Sequence, residues 1–383
     1  MTMRAFFRSR VLAAAGTLCL LASTATAQAW DPIAFGPLGA GLPNGQYFSS
    51  VIDISGDGLT FVGGTNLGQG ILRTPGQDYT LTITGGLSPF AISRNGQTVS
   101  GGVTGQTPRR WDLSNASGNT IASTAVFVPP GTFPSGPAYN VNHNGTHFAM
   151  PTPTMVLTPS ALHVASQFFL SQGGSAGAYR GLASNAPVMI VLGNMPGNNT
   201  NAYRWNYQAG TLAPLNMPAG ATGVDAGGVG GSLSADGLRT GGSATIGGVS
   251  QPYWWDEQGT PHAVTRLAGS VFGSLNAMNY TGTLGGGSMF LSGQGNRAFL
   301  YELNTGVVYN LDQIYRAAGL LPTGWTLIAT RHISDDGSRV FCTATAPDGS
   351  TRAILLEGSY IPAPGTLGLA ALAGLVATRR RRR

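Results

Sequence analysis

The chain predicts an all-β repeat fold: a seven-bladed β-propeller closed by an N-terminal strand, with a C-terminal apolar helix beyond it. Three observations predict it. An Asn-Gly or Asp-Gly dipeptide recurs between short alternating apolar runs. An arginine- or aromatic-containing run follows most of these turns. One strand-like segment, Pro32-Ile-Ala-Phe-Gly-Pro-Leu38, precedes the first turn without partners of its own. Composition agrees: glycine is abundant (58 of 383 residues) and charged residues make up only 9%, which suits tight turns and short strands better than helices.

Residues 1–27 carry the three parts of a secretory leader: Arg4, Arg8 and Arg10, then an apolar stretch from Val11 to Leu21, then the small-x-small site Ala25-Thr-Ala27, with cleavage expected between Ala27 and Gln28. The repeat body is expected over 28–358. Its turn glycines are Gly58, Gly96, Gly145, Gly237, Gly282 and Gly337, with a worn copy around Asn185. The mean period is about 46 residues, the length of a four-stranded blade. At each turn the dipeptide predicts a two-residue hairpin of type I′, whose central residues both need positive φ. The runs Arg109-Arg-Trp111, Ala202-Tyr-Arg-Trp205, Pro252-Tyr-Trp-Trp255, Arg297-Ala-Phe-Leu-Tyr301 and Arg352-Ala-Ile-Leu-Leu356 read as third strands. The last repeat lacks a fourth strand, and Pro32–Leu38 is expected to supply it and remove an exposed sheet edge. A two-turn helix is expected at Asp312–Ala318, after Asn310 and before Gly319.

Charge excludes a nucleic-acid partner. No lysine is present, so all 21 basic residues are arginine; three lie in the leader and five at the extreme C-terminus. The remaining thirteen face fifteen acids, so the body is about −2 and offers no basic patch for phosphates. The absence of lysine also excludes a lysine-containing phosphate loop and Schiff-base chemistry. Cys342 is the lone cysteine of the body and reads as a small buried hydrophobe.

Candidate chemistry is sparse. Gly173-Gly-Ser175-Ala-Gly177 has the spacing of a nucleophile elbow, but that motif needs a helix after the serine, and the following residues do not read as one. A secreted hydrolase acting through Ser175 is accordingly the weakest functional reading. Asp53-Ile-Ser-Gly-Asp57-Gly58 begins like a calcium loop but has Gly64 where the bidentate glutamate belongs, and Asp335-Asp336-Gly337 reads in the same way as a turn. His143 and His147 are separated by the Asn144-Gly145 turn and show no zinc spacing. No metal, cofactor or catalytic residue is expected. Trp254 and Trp255 are candidates for a glycan-stacking surface, weighed against blade packing, which their place in the repeat favours.

Two resemblances extend this reading. The tail 359–383, with Pro362-Ala363-Pro364, the apolar run Leu367–Ala377, and Arg379, Arg380, Arg381, Arg382 and Arg383, resembles a PEP-CTERM sorting signal, with Ala363 where that motif has glutamate. The eleven-residue apolar run is short of the roughly 20 residues of a stable span and suits transient membrane insertion. The body is similar to HAF-type extracellular repeat proteins, on Phe90-Ala-Ile-Ser93 with Asn95-Gly96, on Arg297-Ala-Phe299, and on Gly324-Trp-Thr-Leu327. These resemblances imply a bacterial protein that is secreted or displayed at the cell surface, handled by the secretion machinery and an exosortase-like processing enzyme. They imply a non-catalytic envelope, extracellular-matrix or biofilm component, with exopolysaccharide a candidate partner. A secreted, lectin-like carbohydrate-binding propeller is the alternative.

Overall fold

The computed structural model describes residues 30–360 apart from 39–41, 43–45, 82–87, 103–106, 127–137, 152–153, 199 and 228–231. The expected leader with Ala27 and Gln28, and the expected sorting tail and apolar helix from residue 361 on, lie outside the described residues. No described helix is long and apolar enough to cross a membrane.

Seven antiparallel sheets follow one another along the chain, and each packs its innermost strand against the next sheet until the seventh meets the first. The innermost strands are Phe48–Ile54, Ser88–Ile92, Asn140–Val141, Ser175–Leu182, Ala221–Ala226, Ser270–Met278 and Thr326–Ile333. This ring is a seven-bladed β-propeller. The runs expected as third strands are third strands: Arg109–Asp112, Ala202–Asn206, Val249–Trp255, Gly295–Glu302 and Thr351–Tyr360. In the seventh blade the strand Trp30–Pro37 lies outside Thr351–Tyr360 and completes the sheet, as expected. The Leu38 amide donates to the Ala353 carbonyl at 3.0 Å, and Phe35 meets Trp325 edge to face at 5.5 Å.

The core lies between blades. Each cluster draws side chains from two neighbouring sheets, as in Phe48, Ile54 and Phe61 of the first blade with Phe341 and Ala353 of the seventh. The aromatic residues of the third strands fill these seams. Trp111 joins the cluster between blades one and two, Trp205 that between three and four, and Trp255 that between four and five.

The turn after each innermost strand differs from the expected two-residue hairpin. In blade one, Ile54 pairs with Phe61, and the Ser55 amide donates to the Thr60 carbonyl at 2.8 Å, leaving four residues in the loop. The Gly58 amide closes a β-turn onto the Ser55 carbonyl at 3.0 Å, and Gly58 sits at φ +64°. Four-residue loops built around such a turn are a common hairpin solution. Side chains favour it here. The Ser55 hydroxyl donates to Asp57 Oδ1 at 2.6 Å and accepts the Thr60 amide at 3.0 Å, while Asp57 Oδ1 accepts the Leu59 amide at 2.9 Å. Ser93–Thr98, Ser234–Arg239 and Ser334–Arg339 repeat the arrangement, and Asn142 and Asn279 take the serine's place in blades three and six.

Among the described residues two α-helices, besides the 3-10 turn Leu113–Asn115, interrupt the strands. Helix α1, Ala165–Ser171, precedes blade four and buries Ala165 and Phe169; it has no side-chain cap, the signal that would have revealed it. Helix α2, Leu311–Ala317, falls within a residue of its expected place, and Asn310 Oδ1 caps it by accepting the Gln313 amide at 3.2 Å. One further departure is a hairpin inside blade two, Ala116–Ser117 with Thr120–Ile121. It adds in parallel to the outer strand of blade one (Thr120 opposite Thr80) and buries Ile121 in the seam between the two blades.

Candidate functional site at the propeller axis

The residue two places before each turn serine, or its counterpart, runs as a column around the axis: Asp53, Ala91, Asn140, Gly181, Ser232, Ala277 and His332. In five blades the register slips immediately before it, as between Val51 and Asp53 and between Thr330 and His332. Such bulges kink a strand and re-aim its side chains. The column is small or polar because seven innermost strands converge here.

Its two titratable members meet. Asp53 Oδ1 lies 3.4 Å from His332 Nδ1, joining blades one and seven. Asp53 Oδ1 also accepts the Ile54 amide at 2.8 Å and Oδ2 the Ile92 amide at 3.0 Å, the latter in blade two. Burial raises the Asp53 carboxyl from 3.8 to about 7, against the pull of these amides and of Arg94. Burial lowers His332 from 6.5 to about 3, with Arg331 and Arg94 adding to the effect. The imidazole is therefore neutral. A cavity of about 50 Å³ beside them is lined by Asp53, Arg94, Asn140, Ser184 and Ser232 among others, with space for water.

One end of the axis is closed by the turns themselves. Their second residues form a ring of hydrogen bonds from blade to blade. Gly56 N–H donates to Arg94 O at 2.7 Å, Asn95 N–H to His143 O at 3.1 Å, and His143 N–H to Ser184 O at 2.9 Å. Asn185 N–H donates to Ala235 O at 2.9 Å and Ala235 N–H to Tyr280 O at 2.9 Å. Asn279 Nδ2 reaches Asp335 O at 3.3 Å, and Asp335 N–H returns to Gly56 O at 2.7 Å. Above this ring Arg94 pairs with Asp335 and lies 5.8 Å from the Tyr280 ring, which accepts a hydrogen bond at its hydroxyl from Asn185. The Arg94–Asp335 pair passes over Gly56, where a Cβ would overlap the Asp335 carboxylate.

The residues singled out in sequence fall elsewhere. Trp254 is 9% exposed and Trp255 0%, so neither offers a face to a sugar. Trp255 Nε1 donates to Asn216 O at 2.8 Å, and Trp254 stacks on His262 at 4.2 Å. Ser175 begins the strand Ser175–Leu182 and a helix precedes rather than follows it, the reverse of a nucleophile elbow. Asp53 and Asp57 have separate tasks, one at the axis and one inside the turn, and do not form a shared cation loop. His143 and His147 both line a groove between blades three and four, where His147 Nδ1 lies 3.0 Å from Tyr207 Oη. Cys342 is buried, and its thiol is pushed up to about 12. Sequence reasoning missed the pairings Asp53–His332 and Arg94–Asp335. Aligning the seven turns would have placed the first pair in one otherwise small and neutral column.

No family model matches the chain, and no curated protein matches it. Solved structures do. Oligogalacturonate lyase in complex with manganese aligns over 87% of this chain and 98% of its own, at 11% identity and a TM-score of 0.51. Oligogalacturonate lyase from Vibrio parahaemolyticus aligns over 86% and 98%, at 10% identity and a TM-score of 0.52. At these identities the likeness is one of fold, and the fold it shows is the propeller.

Proposed function

We propose that the protein is exported and displayed at the bacterial surface as a non-catalytic propeller, a component of the envelope or extracellular matrix. In this reading the leader is cleaved after Ala27, and the tail from Pro362 to Arg383 is held in the membrane and then processed by an exosortase-type enzyme. The observation that carries the address is the tripartite tail at one terminus with a leader at the other. The axis supports the structural role, because its ionisable groups tie blades together: Asp53 to His332 and Ile92, and Arg94 to Asp335. The lyase activity named for the two similar structures is not carried over, since at 10–11% identity the likeness is one of fold alone. Mass spectrometry of both mature termini in each cell fraction tests the reading. A start at Gln28 and loss of Arg379–Arg383 from surface or medium fractions are expected. Protein in the medium that still carries the five arginines would defeat the sorting step.

A further inference from the structure

Away from the turn ring, blades six, seven and one enclose a depression of about 500 Å³, within the ~300–1,000 Å³ range of small-molecule sites. Ser49, Ser50, Asn276, Arg331 and Thr351 form its polar lining, with His332 and Thr343 beneath. No carboxylate lines it among the described residues. Arg331 is exposed, and its Nε donates to Thr343 Oγ1 at 3.0 Å, which holds the guanidinium in one orientation. Most arginines of the body face a carboxylate, as Arg73 does Asp78 and Arg339 does Glu357, whereas among the described residues Arg331 faces none. Its two Nη groups are thus left as a planar fork, the geometry that binds a carboxylate through two parallel hydrogen bonds.

We propose that this depression binds an acidic saccharide unit, with Arg331 taking the sugar carboxylate and the surrounding hydroxyl and amide side chains taking its hydroxyls. The lining chooses the class. Ser50, Asn276 and Thr351 make no side-chain hydrogen bonds to other described residues, and Ser49, which donates to Gly64 O at 3.1 Å, retains acceptor capacity. Several hydroxyls and one amide around one cation suit a polyhydroxylated monoanion. Among the described residues no Phe, Tyr or Trp lines the depression, and the one ring in the lining, His332, is buried at 7% exposure, so a nucleobase or an aromatic acid finds no open stacking face. A single guanidinium without a second arginine in the lining, in a chain without lysine, underfills a phosphate dianion. The site stands on this geometry and does not depend on how the protein is sorted.

The test is calorimetric titration of the full chain at pH 7 and low salt with three probes: a glucuronate-containing disaccharide, the corresponding neutral disaccharide, and inorganic phosphate. The acidic disaccharide is expected to bind about tenfold or more tightly than the neutral one, and phosphate more weakly than either. Arg331→Gln should erase the preference for the acid while leaving the melting temperature unchanged, and Arg331→Lys should retain part of it. Ser50→Ala should weaken both sugars by a few fold. Equal binding of the two disaccharides, an acid preference that survives Arg331→Gln, phosphate binding as tight as the acid, or no binding at millimolar concentration would each overturn the proposal.

Discussion

Asp53 and His332 sit 3.4 Å apart in the seam where the ring closes, and burial moves their titrations in opposite directions. The carboxyl binds its proton more tightly in the folded chain, from 3.8 to about 7, so its contribution to stability is present at low pH and fades as pH rises through that window. The imidazole binds its proton less tightly, from 6.5 to about 3, so its contribution is present above 6.5 and fades as pH falls toward 3. Between about 4 and 6.5 the two slopes oppose each other, and the wild-type chain should be nearly flat. Single substitutions separate them. In Asp53→Asn, urea midpoints should climb as pH rises from 3 to 6.5; in His332→Gln they should fall as pH rises from 4 to 7. Parallel pH profiles for wild type and both variants would show that neither group titrates as its burial requires. This pair was hidden in the sequence because Asp53 reads locally as the head of a turn. Its partner is almost the whole chain away and becomes adjacent only when blade seven meets blade one.

The repeated turn is the element that organises the fold, and it was readable in part. The glycines and their spacing marked six of the seven inner-to-second strand connections, because a left-handed position such as Gly58 at φ +64° admits few other residues, while the glycine-free turn Ala183–Val188 of blade four was marked only by the worn copy around Asn185. The loop length was not readable from the dipeptide. It depends on the serine three residues before the glycine, whose hydroxyl bonds across the loop to an amide five residues on. Ser93 shows what that hydroxyl does: it is buried, donates to Asn95 Oδ1 at 2.6 Å and accepts the Thr98 amide at 2.9 Å. Ser93→Ala leaves that buried amide without its hydroxyl and should cost about 1–3 kcal/mol in equilibrium urea unfolding. Ser93→Thr, which keeps the hydroxyl, should lose less. An unchanged midpoint in Ser93→Ala would mean that the turn is held by backbone alone. Helix α1 escaped notice for the converse reason. It has no capping residue and is held by Phe169 against Tyr203 at 5.5 Å, a contact made by tertiary packing.

At the scale of the whole ring, the seven-blade count followed from the period, and the closure from an unpaired strand at one end and a blade short of one at the other. What no repeat could convey is how the seam is secured. The strand Trp30–Pro37 covers the edge of Thr351–Tyr360, Phe35 meets Trp325, and Leu38 joins the seam cluster with Phe48 and Phe341. Cys342 lies in the same blade, next to Phe341, buried with its thiol pushed up to about 12, so in the folded ring it is both inaccessible and protonated at neutral pH. Its alkylation therefore reports opening of the closing blade. In the native protein, site-resolved mass spectrometry should find Cys342 unlabelled by iodoacetamide at pH 8 until denaturant unfolds the whole chain. Deleting residues 32–38 uncovers a sheet edge and removes Leu38 from the seam. Labelling of Cys342 should then run ahead of the global unfolding transition, the thermal midpoint should fall, and the variant should self-associate with rising concentration. If labelling in the deletion variant still waits for global unfolding, the N-terminal strand merely decorates the seventh blade, and the seam is held without it by the Phe48–Phe341 cluster, Asp53–His332 and the turn ring.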